Sequence, residues 1–252
     1  MKQNTWFDPF FVLENLSEED KLIQKNVKDF SNKVLKPMVV KSNRNHYFDR
    51  ELYKEFGKLG LLGSSIKNHG GAGASYTAYG LIAYEIEKID SSYRSSISVQ
   101  SSLVIHPIDT FGTEEQKKEY LPDLISGHKI GCFGLTESEA GSDPSSMKTT
   151  YKKHQDGYVL NGSKNWITNS PIADVFIIWA LNEKHETNSI KGFILDKNTN
   201  GLSTSVIENK TSLKISSTGQ IIIEDVFVHN SNCLGHTKGW SSVFSCLNKA
   251  RF

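Results

Sequence analysis

Residues 132–144 read CFGLTESEAGSDP, and NWITNSP follows at 165–171. The first stretch begins as a short apolar run, Ile130 to Leu135 with Phe133 in its middle, and dissolves into Thr136, Glu137, Ser138, Gly141, Ser142 and Asp143. A strand that ends in small polar residues and glycine leaves backbone N–H groups and hydroxyls free to bind a ligand. The second stretch sets Trp166 beside Ile167 and Thr168, which offers a flat apolar face and a hydroxyl donor to one planar ligand. Taken singly, each piece reads equally as a strand end or a hairpin with turn chemistry. A third group is Glu87 with Arg94 and Ser95. Glu87 and Arg94 are seven residues apart, two helical turns, and share a face if one unbroken helix carries both. An Arg fork beside a hydroxyl matches a carboxylate in charge and planar geometry, although a lone Arg or Glu on a helix is usually just solvated surface.

The elements that must position these residues fall into two kinds. Ser17-Glu18-Glu19-Asp20 is a helix start, with Leu22, Ile23, Val27, Phe30 and Val34 at helical spacing until Pro37 stops the run. Leu52, Phe56 and Leu59 mark a second helix ending at Gly60. KNHGGAGAS (67–75) lacks a preceding strand and the Lys-Ser/Thr of a phosphate-binding loop, so it reads as a connector. Ala78 to Ile89 forms a third helix with Leu81, Ile82, Tyr84, Ile86 and Ile89 mostly inward, and the run after Asp90 continues helically to Pro107. Thr113 to Gln116 is a capping box for a helix through Ile125, closed by Gly127.

The periodicity then changes. Asp156-Gly157 and Asn161-Gly162 predict hairpin turns, and residues 175–181, 191–196, 202–208 and 220–228 supply further strands. The expected class is α+β: an all-helical domain (1–128), then an antiparallel β-domain of six to eight strands (129–236). From Lys238-Gly239-Trp240 a new helix opens, so residues 237–252 read as the start of a third, helical domain. So short a helix needs a surface to dock on.

The chain of 252 residues is 37% apolar and 23% charged with net charge +1. That composition suits a soluble globular protein and gives no basic excess for nucleic acid. No 18-residue apolar run suggests a membrane span. The N-terminal stretch to Leu16 resembles neither a secretory signal nor a transit peptide. Three widely spaced cysteines suit reduced thiols. None of the eight histidines forms a ligand pair, so no metal site is expected. A bacterial cytoplasm is the default expectation.

The paired signatures at 132–144 and 165–171 resemble the flavin motif of the acyl-CoA dehydrogenase family. RNHYFDRELYKEFGKLGLLG, EKIDSSYRSSISVQSSLVIHPI, LNGSKNWITNSPIAD and FSCLNKARF are most similar to its glutaryl-CoA dehydrogenase branch. The resemblance implies an FAD-dependent α,β-dehydrogenation of an acyl-CoA, with decarboxylation of glutaryl-CoA to crotonyl-CoA. It implies electron-transfer flavoprotein as acceptor and a homotetramer. It assigns Phe133, Leu135, Thr136, Gly141, Ser142, Trp166, Ile167 and Thr168 to FAD. To the substrate it assigns Glu87, Arg94, Ser95, Ser142, Phe244, Leu247, Asn248 and Arg251, with Arg94 on the distal carboxylate.

This sequence also departs from the family. Ser138 replaces a usual proline, which loosens that turn, and Lys214 replaces a usual Arg, which puts an anion contact there in doubt. The family's base is a Glu in a later helical domain or, in isovaleryl-type members, at the position of Ala250. Neither location offers a carboxylate here. The alternative expectation is therefore a truncated, non-catalytic chain that retains flavin or acyl-CoA binding.

Overall fold

Ser17 begins the first helix by accepting a hydrogen bond from the Asp20 N–H at 3.0 Å, and three acids fill the first turn of α1 (Glu18–Phe30). The computed structural model describes Asp8, residues 11–184, Glu186 and residues 189–251. Most of the N-terminal stretch read for a targeting signal, and Phe252, lie outside the described residues.

The expected stop at Pro37 does not occur. A π turn (Ser31–Leu35) widens the helix first, and α2 (Lys36–Asn45) then carries Pro37 near its start before His46 ends it in the left-handed region. The wider turn shifts the hydrogen-bond register, so the chain passes the proline without a break. α3 (Leu52–Lys58) and α4 (Tyr76–Glu87) follow, separated by the glycine-rich connector. Tyr84 on α4 points outward, contrary to expectation, while Leu81, Ile82 and Ile86 face the core.

Asp90 accepts from the Ser92 N–H at 2.8 Å and caps a separate helix, α5 (Ser91–Ser98). A second π turn (Val99–Ile105) leads into α6 (His106–Phe111), and Pro107 is passed as Pro37 was. In α7 (Glu114–Ile125) the expected capping box is present: Thr113 and Gln116 bond each other's backbone N–H groups.

The sheet comprises β1 (Gly131–Gly134), β2 (Thr150–His154), β3 (Gly157–Thr168), β4 (Val175–Asn182), β5 (Lys191–Asp196), β6 (Leu202–Val206) and β7 (Thr218–His229). Strand order is β1-β4-β2-β3-β7-β6, with β5 on β4. Four pairings are antiparallel as expected, but β4 runs parallel to both β1 and β2. The hairpin near Asp156 turns through Gln155-Asp156, since His154 pairs with Gly157. Asn161-Gly162 makes no hairpin. It forms a bulge inside β3, where the Asn161 side chain bonds the Asp225 carboxylate and N–H, each at 2.9 Å.

Both faces of the sheet's centre are covered. Along β4, Val175, Ile177, Trp179 and Leu181 join the core shared with the helices, whereas Phe176, Ile178 and Ala180 join a second core on the other face. Polar side chains pin the halves together. The Gln100 amide donates to the Leu124 and Lys129 carbonyls and accepts from Gly131 N–H. Arg50 donates to the Ile172 carbonyl at 2.6 Å and pairs with Asp174. The last helix, α8 (Trp240–Ala250), docks back on the helical half. There His106 meets Ser245 at 3.2 Å and the Lys249 ammonium lies 3.6 Å from the Tyr76 ring centre.

Candidate functional site

β1 ends at Gly134, which passes close to Ile178: a Cβ there would sit 2.6 Å from the Ile178 Cδ1. Beyond it Leu135 is buried, and the chain peels away into a tight turn closed by Glu137 N–H to Ala140 C=O (3.1 Å) and the reverse bond (3.2 Å). Gly141 and Ser142 then emerge into solvent, and an added Cβ on Gly141 would meet nothing within 4 Å.

β3 supplies the facing segment. Its pairing with β7 slips between Lys164 and Ile167, and within that slip Trp166 takes φ 60°. An aromatic residue in the left-handed region is uncommon and costly. Here the Trp166 N–H bonds the side-chain oxygen of Asn165 at 3.0 Å. The indole is 58% exposed, so Trp166 is no core aromatic. Four contacts fasten this segment to the first: Asn165 N–H to the Thr136 carbonyl (2.9 Å), the Asn165 amide to Ser138 Oγ (3.1 Å), and Lys164 Nζ to the Leu135 carbonyl (3.1 Å) and to Glu137 Oε1 (2.8 Å). The Ser138 hydroxyl thus accepts a bond that a proline side chain could not.

The eight residues read for a cofactor divide by exposure. Trp166, Gly141 and Ser142 are open, and Thr136 and Thr168 are half-buried with hydroxyls that make no hydrogen bond among the described residues. Phe133, Leu135 and Ile167 bury their side chains, Phe133 against Trp179, and offer only backbone.

The second group meets differently from the expected single helix face. Lys88 to Asp90 separate α4 from α5, yet Arg94 Nε reaches Glu87 at 2.6 Å across the break, and Ser91 donates to the same carboxylate at 2.5 Å. Partial burial pushes the Glu87 carboxyl up, but the bonds from Ser91 and Arg94 outweigh it and leave it below the usual carboxylate range. Glu87, Arg94, Ala250 and Arg251 line one cavity of about 680 Å³ with Tyr79 and Ser98. Phe244 and Asn248 share the exposed side of α8 with Arg251. Ser95 and Leu247 are not brought to this cavity, and Leu247 packs on the core. Lys214 lies instead on a separate cleft of about 610 Å³ with Arg44 and Lys210. Among the described residues no group of three candidate ligands could hold a metal, and no helix is long and apolar enough to cross a membrane.

Sequence reading missed Lys164. It sits in NGSKNW, a polar stretch that looks like an exposed strand, but its ammonium is buried against Glu137 at 2.8 Å.

Comparison with known proteins gives the family. Residues 17–128 match the acyl-CoA dehydrogenase N-terminal domain model, and residues 132–226 match the model of its middle domain. The chain belongs to the acyl-CoA dehydrogenase family. It is 35% identical over 240 residues to the short-chain specific acyl-CoA dehydrogenase of Clostridium acetobutylicum, covering 94% of this chain and 63% of that protein. A glutaryl-CoA dehydrogenase from Mycobacterium smegmatis, solved in complex with FADH2, superposes with a TM-score of 0.93 at 39% identity. That match covers 96% of this chain and 62% of that one. A chain solved for the electron transferring flavoprotein of Acidaminococcus fermentans gives a TM-score of 0.90 at 36% identity, covering 94% and 63%. The chain therefore spans about three fifths of the length of these relatives.

Proposed function

We propose that this chain is the flavin- and thioester-binding portion of an FAD-dependent acyl-CoA dehydrogenase acting on glutaryl-CoA. The observation that carries the reading is the exposed, backbone-strained Trp166 beside the Thr136 and Thr168 hydroxyls, which make no hydrogen bond among the described residues. Strain of this kind persists where a ligand site requires it. The residues present fit an isoalloxazine: an apolar plane from Trp166, hydroxyls from Thr136 and Thr168, and an open approach at Gly141 for a phosphate-bearing tail beside Ser142. FAD, when bound, supplies the acceptor for the β-hydride. The protein's part is to hold the thioester, exclude water and direct the α-proton to a carboxylate.

Arg94 supplies the specificity for a diacid. Its Nε is committed to Glu87, while its remaining N–H groups stay available to fork onto a distal carboxylate. Arg251 across the same cavity adds a second cation. The base is not among these residues, since Ala250 stands where isovaleryl-type members carry it; we assign it to the remaining length of the family. Residues 1–128, 129–236 and 237–252 are proposed as the helical, sheet and third-domain portions. Electron-transfer flavoprotein is the proposed acceptor, and a homotetramer the proposed assembly. Ala250 favours one alternative, a binding module without turnover.

Titration of the chain with FAD, followed by anaerobic glutaryl-CoA, separates these readings. Stoichiometric FAD that bleaches once the remaining family length is supplied supports the enzyme, and bound FAD that stays oxidised even then supports the module. Absence of FAD binding refutes both. Arg94→Gln should weaken glutaryl-CoA binding about tenfold, the worth of one charge-assisted bond, while sparing butyryl-CoA. Equal losses on both thioesters would remove the diacid assignment.

A further inference from the structure

Among the described residues Lys164 is the one fully buried lysine or arginine. Its ammonium donates to the Leu135 carbonyl at 3.1 Å and to Glu137 Oε1 at 2.8 Å, with Met147 Sδ 3.9 Å away. The Glu137 carboxylate also accepts the backbone N–H groups of Lys148 (2.6 Å) and Thr149 (3.0 Å). Leu135 and Glu137 are the two neighbours of Thr136, and Lys164 stands two residues before Trp166. A generic staple could join any two strands. This one sits where the Thr136 segment has already left its strand ladder: β1 ends at Gly134, and beyond it the other bonds to the facing strand are those of Asn165, from its N–H to the Thr136 carbonyl and from its amide to Ser138 Oγ.

We propose that Lys164 is the positioning residue of the flavin rim, gripping the chain on both sides of Thr136 and thereby fixing that hydroxyl against the Trp166–Thr168 segment. This deepens the flavin reading above and rests on it. Burial pulls the Lys164 ammonium down to about 8 against the attraction of Glu137. Burial likewise opposes the Glu137 carboxylate, but the Lys164 charge and the converging hydrogen bonds keep it below its ordinary range. The 2.8 Å contact, with two backbone N–H groups also on the carboxylate, is the geometry of an ammonium facing a carboxylate.

Two variants of the chain test the assignment, K164M and the uncharged pair K164M/E137Q, which avoids stranding a buried carboxylate. Without flavin, amide exchange of residues 135–141 and of Asn165 should accelerate at least about tenfold in both, while α7 exchanges as in the wild type. With FAD, both should bind about tenfold more weakly, the scale of one lost hydrogen bond to the ligand. The vibrational structure of the bound flavin's visible band should also blur. A folded K164M/E137Q chain with unchanged exchange, affinity and flavin spectrum would overturn the proposal while leaving the flavin reading intact. Failure of the wild-type chain to bind FAD would overturn the flavin reading, and this assignment with it.

Discussion

Two ion pairs of nearly equal length do opposite work in this molecule. Lys164 and Glu137 meet at 2.8 Å with side chains 0% and 7% exposed, whereas Arg94 and Glu87 meet at 2.6 Å with 37% and 42% exposed. Length does not rank them. The dry pair is surrounded by hydrogen bonds, so removing one partner strands a charge and costs about 3–5 kcal/mol. The wet pair is screened, and such pairs contribute about 0–1 kcal/mol. The difference suits the roles proposed for the two regions. A rim that presents hydroxyls to a rigid cofactor has to be fixed before the ligand arrives. A cavity that admits a charged thioester needs a cation whose hold on its partner is light enough to share.

The contrast can be broken at either end. The largest expected effect is K164M alone, which should lose about 3–5 kcal/mol in urea unfolding, with part of that recovered in K164M/E137Q. A loss below about 1 kcal/mol would place the buried pair in the same class as the exposed one.

A pH effect on the α8 contact comes next. Burial, and secondarily Lys249, pushes His106 down to about 4 from its usual 6.5. The unfolded chain takes up a proton near 6.5 and the folded chain does not. Stability from this site is therefore full above pH 6.5 and is lost as pH falls toward 4. Thermal unfolding across that window should show the slope, and H106N should flatten it; an unchanged slope in H106N would exclude His106 as its source.

Trp166→Ala should leave unfolding stability within about 0.5 kcal/mol, because the indole packs on no core. FAD affinity should nonetheless fall about tenfold, the scale of one aromatic stacking partner. Last, Arg94→Gln should change unfolding stability by less than about 1 kcal/mol. A larger loss would mean that the wet pair is a structural clamp.

Local chemistry was legible in the sequence wherever a residue's partner lay close along the chain. Ser17, Thr113 and Gln116 cap the helices they were read to cap, and the strand runs from 175 to 228 are strands. Trp166 and Thr136 were singled out by residue type together with resemblance to the family's flavin motif. Partners far apart in sequence were not legible. Lys164 and Glu137 are 27 residues apart, and each sits in a polar stretch with no periodicity to mark it as buried. Pro37 and Pro107 looked like stops because a π turn has no strong sequence signal. Asn161-Gly162 carries hairpin chemistry, but a partner at Asp225 turns it into a bulge. Glu87 and Arg94 do meet, by a route across a helix break that seven-residue spacing could not reveal.

The central claim, that the Thr136 and Trp166 segments form a preorganised flavin rim, is tested most directly by titrating the 252-residue chain with FAD while following the visible flavin band and Trp fluorescence, alongside Trp166→Ala. The account requires saturable binding near one FAD per chain, with Trp fluorescence quenched in the wild type and most of that quenching absent in the variant. Wild-type binding that Trp166→Ala leaves unaltered in both affinity and quenching would contradict it.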